Sequence, residues 1–257
     1  MLLFCNLMTA ILNAEQLSHT YQNTPVLQNV NLSVEEGEFV AVMGQSGSGK
    51  STLLFMLSGM YRPSSGNVTF KNRTLSSLKD TEMSRIRLNE MGFIFQNAGL
   101  INSLTVRDNI TLPGLKSNRL PHREVLDRAQ SLMEKTGISE VADHDISKIS
   151  GGQLQRAAVC RALMNDPDIL FGDEPTGALN RGATQDVMDI INRINAEGKT
   201  VVIVTHDAKV AARADRVIFL ADGQIKATNL LGRYSKDEVS RSEREKQMSV
   251  WLDAQGF

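Results

Sequence analysis

The sequence has few cysteines, no excess of charge of one sign and no long apolar run, and each absence excludes a class of protein. Cys5 and Cys160 are the two cysteines among 257 residues, and their spacing argues against a disulfide framework or a metal site and for a reducing compartment. Lys and Arg number 28 and Asp and Glu number 29, so the formal charge of -1 indicates neither a nucleic-acid-binding face nor a disordered acidic tail. Binding partners must therefore be inferred from individual sites.

The segment that comes nearest to a membrane span is the apolar opening, MLLFCNLMTAIL. It is too short to cross a bilayer as a helix, and it lacks the basic flank of a secretory signal. Met8 is an alternative start to Met1, which would leave Ile11 and Leu12 to begin an edge strand. Any work at a membrane is therefore expected to depend on a partner chain.

Apolar runs of strand length alternate with segments of helical periodicity, and the chain has no short repeat or low-complexity tract. This alternation predicts an α/β fold with a mainly parallel sheet that is covered on both faces. Between residues 97 and 165 the pattern changes to helices, which indicates an inserted helical subdomain. The predicted strands are 26–34, 39–43, 68–70, 91–95, 169–172, 200–204 and 217–220, and the predicted helices are 50–60, one that ends near 89, 106–111, 123–136, 153–163 and 183–196.

We predict one domain over residues 8–223, which contains the helical subdomain, and an extension over residues 224–257. In the extension, Ser235 and Glu238 are spaced as a capping box, so residues 236–252 are a candidate polar helix. That helix ends in an apolar patch formed by Val250, Trp251 and Leu252. The patch is expected either to dock on the body or a partner, or to fray in solvent.

Residues 44–51 read GQSGSGKS and match the phosphate-loop pattern G-x-x-x-x-G-K-S. The segment follows an apolar strand and opens a helix, as the pattern requires, and its glycines let backbone N–H groups close around phosphate oxygens. Lys50 is expected to reach the outer phosphates, and the Ser51 hydroxyl is expected to bind Mg²⁺. The predicted nucleotide-binding residues of this loop are Gly44, Gln45, Ser46, Gly47, Ser48, Gly49, Lys50, Ser51 and Thr52.

Residues 169–174, ILFGDE, form an apolar strand that ends in two carboxylates. Parallel sheets bind ligands at the carboxyl ends of their strands, so Asp173 is expected to hold Mg²⁺ directly or through water. Glu174 is then placed to polarise an attacking water as the general base of phosphoryl transfer. Without a phosphate loop in the chain, the same pair would be interpreted as a surface turn before Pro175.

Three further residues are candidates because of the segments that they follow. Gln96 comes after the strand-like GFIF and before the helical subdomain, so it is expected to contact the metal ion and the water. His206 follows VVIVT at the same sheet edge and is expected to hydrogen-bond the γ-phosphate. Tyr21 lies ahead of the phosphate loop and is a candidate to stack on adenine, the alternative being an ordinary edge-strand tyrosine. The predicted catalytic residues are thus Lys50, Gln96, Glu174 and His206, and the predicted metal ligands are Ser51, Gln96 and Asp173.

The segment ISGGQ, residues 149–153, is predicted to open a helix. Taken alone, it would be a helix cap, because Ser is favoured at the N-cap and Gly permits the turn. In this chain it comes after a phosphate loop and shortly before the ILFGDE strand. A helix N-terminus with glycines and a serine hydroxyl can bind an anion such as the γ-phosphate. The predicted phosphate-binding residues of this second segment are Ser150, Gly151, Gly152 and Gln153.

These segments occur in the order and approximate spacing of the ATP-binding subunits of ABC transporters, which the chain resembles from roughly residue 11 to residue 223. The resemblance is carried by Tyr21, GQSGSGKS, Gln96, ISGGQLQR, ILFGDEP, GALN and His206. The longer stretches EFVAVMGQSGSGKSTLL, GFIFQNAGLINSLTVRDNI and DEPTGAL are similar to the group that serves macrolide export, lipoprotein release and bacitracin-type antimicrobial-peptide resistance. Within this group, residues 93–113 most resemble the antimicrobial-peptide resistance branch.

The resemblance implies a P-loop NTPase fold, the ABC ATPase cassette, with an N-terminal antiparallel β part, and a homodimer that holds two ATP with Mg²⁺. Each ATP would lie on the phosphate loop of one chain and under Ser150 to Gln153 of the other, so that ATP binding closes the dimer and hydrolysis opens it. The resemblance also implies an integral-membrane permease as partner and no nucleic acid. The permease would contact a groove beside Gln96 and the helical subdomain, which places the chain at the cytoplasmic face of the cell membrane.

Asn180 departs from the resemblance, because the family usually has Asp at this position of the D-loop. Asn keeps the hydrogen-bonding capacity and loses the charge, so we expect altered cooperativity between the two ATP sites.

A soluble ABC-type ATPase of DNA repair, chromosome organisation or translation is the alternative from another class. Such proteins carry a long coiled coil or two tandem cassettes, whereas this chain has one cassette with a short helical insert. Within the transporter reading, lipoprotein release, macrolide export and a sensing role with little translocation stay open. The resemblance implies that the residues that choose the substrate belong to the membrane subunit.

Overall fold

The structure is a computed structural model that describes residues 10–235 and 237–257. The choice between Met1 and Met8 as the start, the thiol of Cys5 and the side chain of Lys236 therefore lie outside the described residues.

The first part of the chain forms a small antiparallel sheet around one inner strand. Strand β1 (Ala10–Tyr21) pairs with β2 (Thr24–Glu35) on one side and with β4 (Ser65–Phe70) on the other, and β4 pairs with β5 (Arg73–Thr74). The prediction that Ile11 and Leu12 begin an edge strand is therefore wrong. Both edges of β1 are hydrogen-bonded, so its backbone N–H and C=O groups are paired on either side.

A larger, six-stranded sheet forms the centre of the fold, and its middle strands are the most apolar segments of the chain. All five residues of β3 (Phe39–Met43) and of β8 (Thr200–Val204) are buried, as expected for strands covered on both faces. Five of its strands run parallel to one another, and β10 (Gln224–Leu230), an edge strand, is antiparallel to its neighbour. Across the sheet the order is β10 (Gln224–Leu230), β9 (Arg216–Ala221), β3, β8, β7 (Ile169–Asp173) and β6 (Met91–Phe95).

Helices cover both faces of the larger sheet. Three helices pack on one another within the predicted helical subdomain, namely α3 (Val106–Ser117), α4 (His122–Thr136) and α5 (Gly151–Leu163). Helix α5 also packs on β6, which joins the subdomain to the sheet. The helices are α1 (Lys50–Leu57), α2 (Asp80–Glu90), α3 (Val106–Ser117), α4 (His122–Thr136), α5 (Gly151–Leu163), α6 (Arg181–Ala196), α7 (Ala208–Ala211) and α8 (Glu238–Asp253), with short 3-10 turns at Leu75–Ser77, Ser139–Val141 and Ile146–Lys148.

Two apolar cores lie on opposite faces of the larger sheet, because side chains alternate along each strand. In β3, Val40 and Val42 belong to the core under the small sheet and α1, whereas Phe39, Ala41 and Met43 belong to the core under the helices. This layered arrangement holds the carboxyl ends of β3, β7 and β8 at one edge. The loops that follow these strands are therefore neighbours in space.

Cys160 lies in the core beneath the helical subdomain. Its Sγ atom is 3.0 Å from the Thr136 hydroxyl, and burial raises the pKa of the thiol to about 12. The thiol is therefore protonated at physiological pH and is part of the packing rather than a reactive group.

Several helix ends differ from the predicted ones: α1 ends at Leu57 rather than at residue 60, and the differences at α3 and α8 have identifiable causes. Helix α3 continues to Ser117, past the predicted end at Thr111 and through Pro113, because its packing on α4 and α5 outweighs the one backbone hydrogen bond that the proline removes. Helix α8 begins at Glu238, and the Asp237 carboxylate caps it by accepting from the Ser240 backbone N–H at 2.9 Å. The predicted capping box is therefore wrong.

The predicted boundary after Gly223 falls in the turn between β9 and β10, which are paired strands of one sheet. The division of the chain into a domain over 8–223 and an extension over 224–257 stays a prediction. Over residues 10–235 and 237–257, none of the helices combines the length and the apolar character that crossing a membrane requires.

Candidate nucleotide site

The phosphate loop lies between the end of β3 and the start of α1, and two of its glycines are required by close packing. Gly44 has φ of 152°, and a Cβ atom there would stand 2.0 Å from the carbonyl oxygen of Leu220. Gly49 has φ of 100°, and its Cβ atom would stand 2.8 Å from the carbonyl oxygen of Val26. The loop is thus held against β9 on one side and β2 on the other, with its backbone N–H groups free of side-chain obstruction.

Lys50 is the first residue of α1, and its ammonium group lies over the loop. Its Nζ atom donates to the carbonyl oxygens of Gly44 and Gln45, each at 2.8 Å. Burial lowers the pKa of Lys50, against the nearby carboxylates of Glu174 and Asp173, which raise it. The side chain is therefore placed between the loop and the carboxylates, as a phosphate-binding lysine requires.

Ser51 and Asp173 meet although 122 residues separate them in the sequence. The Ser51 hydroxyl donates to Oδ1 of Asp173 at 2.7 Å. A hydroxyl beside a carboxylate is the oxygen-donor set that Mg²⁺ prefers next to a phosphate. The Ser48 hydroxyl of the same loop is buried and has no hydrogen-bond partner among the described residues, so it is free to bind a phosphate oxygen. These residues fit Mg²⁺ and ATP.

Glu174 is held in an unusual backbone conformation beside His206. Its φ is 49°, which costs a residue other than glycine of order 1–3 kcal/mol, and its backbone N–H donates to the carbonyl oxygen of Val204 at 3.0 Å. Oε1 of Glu174 lies 2.9 Å from Nδ1 of His206. The histidine side chain is 65% exposed and the glutamate side chain 17%, so the imidazole stands between the carboxylate and solvent. The two residues that we predicted to act on the γ-phosphate and the water are in contact.

Gln96 follows β6, whose last residue, Phe95, is paired with Asp173. A Cβ atom added to Gly177 would lie 3.0 Å from Nε2 of Gln96, so the amide rests against the turn that follows Glu174. Gln96 therefore joins the same sheet edge as the other candidates. Its contact with the metal ion stays a prediction.

Ser150 to Gln153 form the start of α5 and are bonded to one another rather than to the phosphate loop. The Ser150 hydroxyl accepts from the backbone N–H of Gln153 at 3.3 Å, and Oε1 of Gln153 accepts from the backbone N–H of Ser150 at 2.9 Å. Ser150 and Gly151 are exposed. Within residues 10–235 and 237–257, no side-chain hydrogen bond joins this segment to residues 44–52. The segment faces solvent as a capped helix N-terminus.

Tyr21 is the last residue of β1 and is 65% exposed. It is followed by a two-residue turn, Gln22 and Asn23, and β2 then carries Val26 to the phosphate loop at Gly49. The side chain is free to stack on a planar ligand, and its contact with adenine stays a prediction.

The sequence argument missed one side chain that supports this site. Asp207 caps α7, accepting from the backbone N–H of Lys209 at 2.7 Å, and so fixes the chain directly after His206. An Asp before an apolar helical run is an N-cap signal that the sequence already contained. Asn180 also caps a helix, since its Oδ1 accepts from the backbone N–H of Ala183 at 2.9 Å at the start of α6. Neither contact touches the phosphate loop.

The site defines a P-loop ATPase, because one edge of a parallel sheet carries a phosphate loop, a hydroxyl and carboxylate pair for Mg²⁺, and a Glu–His pair. The helical subdomain defines the cassette type. Comparison with known proteins identifies the family. The ABC transporter family matches residues 27–177, more than half of the chain, and the chain belongs to it.

Curated relatives agree with this family. The uncharacterized ABC transporter ATP-binding protein YvrO of Bacillus subtilis (strain 168) is 38% identical over 219 residues, which are 84% of this chain and 95% of YvrO. The macrolide export ATP-binding/permease protein MacB of Rhodopseudomonas palustris (strain BisB18) is 46% identical over 199 residues, which are 77% of this chain but 30% of MacB. The chain therefore spans about a third of the length of the MacB relatives that it matches.

Solved structures agree as well. The ATP-binding cassette MJ0796, in a dimeric post-hydrolysis state bound to ADP and Pi, is 37% identical, with a TM-score of 0.81 over 87% of this chain and 100% of that chain. The cbiO1 protein of Clostridium perfringens, part of the transporter complex cbiONQ, is 27% identical, with a TM-score of 0.80 over 95% of each chain. The predictions of a P-loop NTPase fold, of ATP binding and of an ATPase of the ABC transporter family are confirmed.

Proposed function

We propose that two copies of this chain bind two Mg²⁺-ATP between them, and that hydrolysis drives an integral-membrane partner. The observation that most supports the proposed dimer is the exposed N-terminus of α5. Ser150 to Gln153 present N–H groups and a hydroxyl suited to a phosphate, yet they are bonded away from their own phosphate loop. A phosphate on the loop of a second copy would satisfy them. The dimeric form of MJ0796 supports this arrangement.

In each site of such a dimer, Lys50 and the loop backbone hold the phosphates, and Ser51 and Asp173 hold Mg²⁺. Mg²⁺ held by these two residues would supply positive charge that stabilises the phosphoryl group during transfer. Glu174 takes a proton from the attacking water, and Nδ1 of His206, 2.9 Å away, orients that carboxylate, which leaves the other ring nitrogen of His206 to hydrogen-bond the γ-phosphate. Sedimentation of the full chain with Mg²⁺-ATP and with Mg²⁺-ADP tests the dimer. A chain that stays monomeric with ATP under conditions where hydrolysis is blocked would contradict it.

The departure at Asn180 gives a specific prediction for cooperativity. Asp and Asn cap helices about equally well, so the Asn180→Asp variant is expected to keep its thermal stability within about 0.5 kcal/mol. The added charge at the dimer contact is expected to change the Hill slope of ATP hydrolysis. Steady-state ATPase assays over a range of ATP concentrations measure it, with Asn180→Ala as the variant that loses the cap and about 1 kcal/mol of stability. An unchanged turnover and Hill slope in Asn180→Asp would reject the idea.

A groove beside the nucleotide site supports the proposal that the chain binds a membrane partner. A cavity of about 300 Å³ lies where α2 and β6 meet the helical subdomain, and its apolar lining includes Leu88, Phe93, Phe95 and Pro113. Leu112, next to Pro113, is 42% exposed. An apolar groove at the junction of two subdomains suits a short helix of another protein. We place the chain at the cytoplasmic face of the cell membrane through this contact.

Charge placed in the groove is expected to detach the membrane partner without stopping ATP hydrolysis. Leu88→Glu puts a carboxylate on the half-buried lining, whereas Val239→Glu puts one on a side chain of α8 that is 73% exposed. Co-purification of each variant with the membrane protein encoded beside or fused to this chain measures the effect. We expect recovery of the partner to fall at least about fivefold for Leu88→Glu, a loss of about 1 kcal/mol, and not for Val239→Glu. Equal recovery would place the partner elsewhere.

For the transported substrate, the MacB relatives favour macrolide export over the antimicrobial-peptide branch that residues 93–113 indicate. The peptide-resistance assignment stays a prediction. A large extracellular domain in the neighbouring permease, together with an adjacent two-component sensor, would support it.

A further inference from the structure

Helix α8 and the segment 254–257 that follows it lie beside the nucleotide site, on the face of the larger sheet that the helical subdomain also covers. Met248 and Leu252 are buried in the core beneath the sheet. Trp251 and Phe257 both pack edge-to-face on Phe219 of β9, with ring centroids 6.3 Å and 6.0 Å away. The end of α8 is therefore docked on the body rather than frayed.

Phe219 lies beside the residue that precedes the phosphate loop. It is paired with Met43, the last residue of β3, in the register of the sheet. Gly44 comes next, and it is packed on the carbonyl oxygen of Leu220. A side chain that rests on Phe219 thus rests on the strand pair that positions the start of the loop.

A direct contact reaches the loop itself. Nε2 of Gln45 donates to the carbonyl oxygen of Gly256 at 3.3 Å. Gln45 is the second residue of the phosphate-loop pattern, and its own carbonyl oxygen accepts from Lys50. The segment after α8 therefore touches a residue that is in contact with the phosphate-binding lysine.

The other side of α8 is fixed to the segment that follows His206. The Arg244 guanidinium donates to the carbonyl oxygens of Ala212 and Ala214, at 2.9 Å and 2.7 Å. It also donates to the carbonyl oxygen of Leu231 at 2.7 Å. The Ala212 and Ala214 carbonyls come directly after α7, whose Asp207 cap is adjacent to His206. One helix thus contacts the elements that carry both the phosphate loop and the γ-phosphate histidine.

We infer that α8 and residues 254–257 are a positioning element of the nucleotide site, in which the Gly256 carbonyl holds Gln45 and Arg244 anchors the helix beside α7. The inference rests on the proposed nucleotide site. A loop that is held before the nucleotide arrives loses less entropy on binding. The element therefore favours ATP affinity more than it favours the chemical step.

The test compares the full chain with a chain that ends at Asp253, which lacks both the Gly256 carbonyl and the Phe257 ring. Because one hydrogen bond and one aromatic contact are lost, we expect KM for ATP to rise about three- to tenfold, with kcat changed less than about twofold. Phe257→Ala keeps the carbonyl and is expected to give a smaller rise. Val250→Ala, at a side chain of α8 that is 63% exposed, is the control and should match the full chain.

Trp251 is the single tryptophan and reports on the same contact without relying on activity. Its emission is expected to change when Mg²⁺-ATP binds to the full chain, and to change less in the chain that ends at Asp253. Thermal unfolding checks that both chains are folded. An equal KM and an equal emission change would overturn the positioning role, as would a fall in KM, which would make the segment a cover over the loop. A full chain that binds no ATP would instead refute the proposed nucleotide site.

Discussion

Replacing Glu174 with Gln is expected to lower ATP hydrolysis by about 10²–10⁴-fold while ATP binding persists, because an amide keeps the size of the side chain but cannot take a proton from water. The geometry supports this separation of binding from chemistry. Glu174 lies beyond the Ser51–Asp173 pair, and its Oε1 contacts His206 rather than the phosphate loop. The residues that hold the phosphates and Mg²⁺ are therefore left unchanged by the substitution.

The same variant is expected to trap the dimer. If each ATP lies between two chains, the dimer opens only after hydrolysis, so Glu174→Gln with Mg²⁺-ATP should sediment as a dimer and the unaltered chain as a mixture. Glu197→Gln changes an exposed glutamate after α6 in the same way and is the matched control. Turnover in Glu174→Gln within about tenfold of the unaltered chain would assign the general base to another residue. A monomer that hydrolyses ATP normally would refute the proposed mechanism as a whole.

His206 orients the Glu174 carboxylate, and the contact between the two residues shows which parts of the site the sequence could predict. The phosphate loop and the Asp173–Glu174 pair are encoded by short segments, so their places at the ends of β3 and β7 followed from the pattern alone. The contact between Glu174 and His206 joins residues 32 apart in sequence. It could be anticipated because neighbouring parallel strands end at one sheet edge.

Other features depend on side chains that meet across the fold, and no local pattern encodes them. The contact of Gln45 with Gly256 joins residues 211 apart and depends on how α8 packs on Phe219. The inner position of β1 depends on β4, which returns to it after the phosphate loop. Helix α3 exceeds its predicted length because α4 and α5 pack against it, whereas the sequence placed its end before Pro113. In each case tertiary contacts decide what the local sequence leaves open.

Two defective variants are expected to restore one another's activity when they damage opposite halves of the shared site. Lys50→Ala removes the phosphate-binding ammonium from the half that carries the loop. Ser150→Arg places a long side chain at the N-terminus of α5, in the half that would cover the ATP of the second copy. Each variant alone is expected to lose nearly all activity, because every site in its homodimer is damaged.

In a one-to-one mixture of the two variants, about half of the dimers are mixed. Each mixed dimer holds one intact site and one doubly damaged site. If the sites act independently, the mixture is therefore expected to show about a quarter of the full ATPase rate. An ATPase assay on the unfractionated mixture measures this quarter, and mixed dimers purified through two affinity tags after co-expression should reach about half of the full rate. The control pairs Lys50→Ala with Glu174→Gln. Lys50 and Glu174 belong to the same half, as the electrostatic effect of Glu174 on the pKa of Lys50 indicates, so this mixture has no intact site and should stay inactive. Recovery in both mixtures, or in neither, would mean that the loop and the start of α5 do not form one site across two copies.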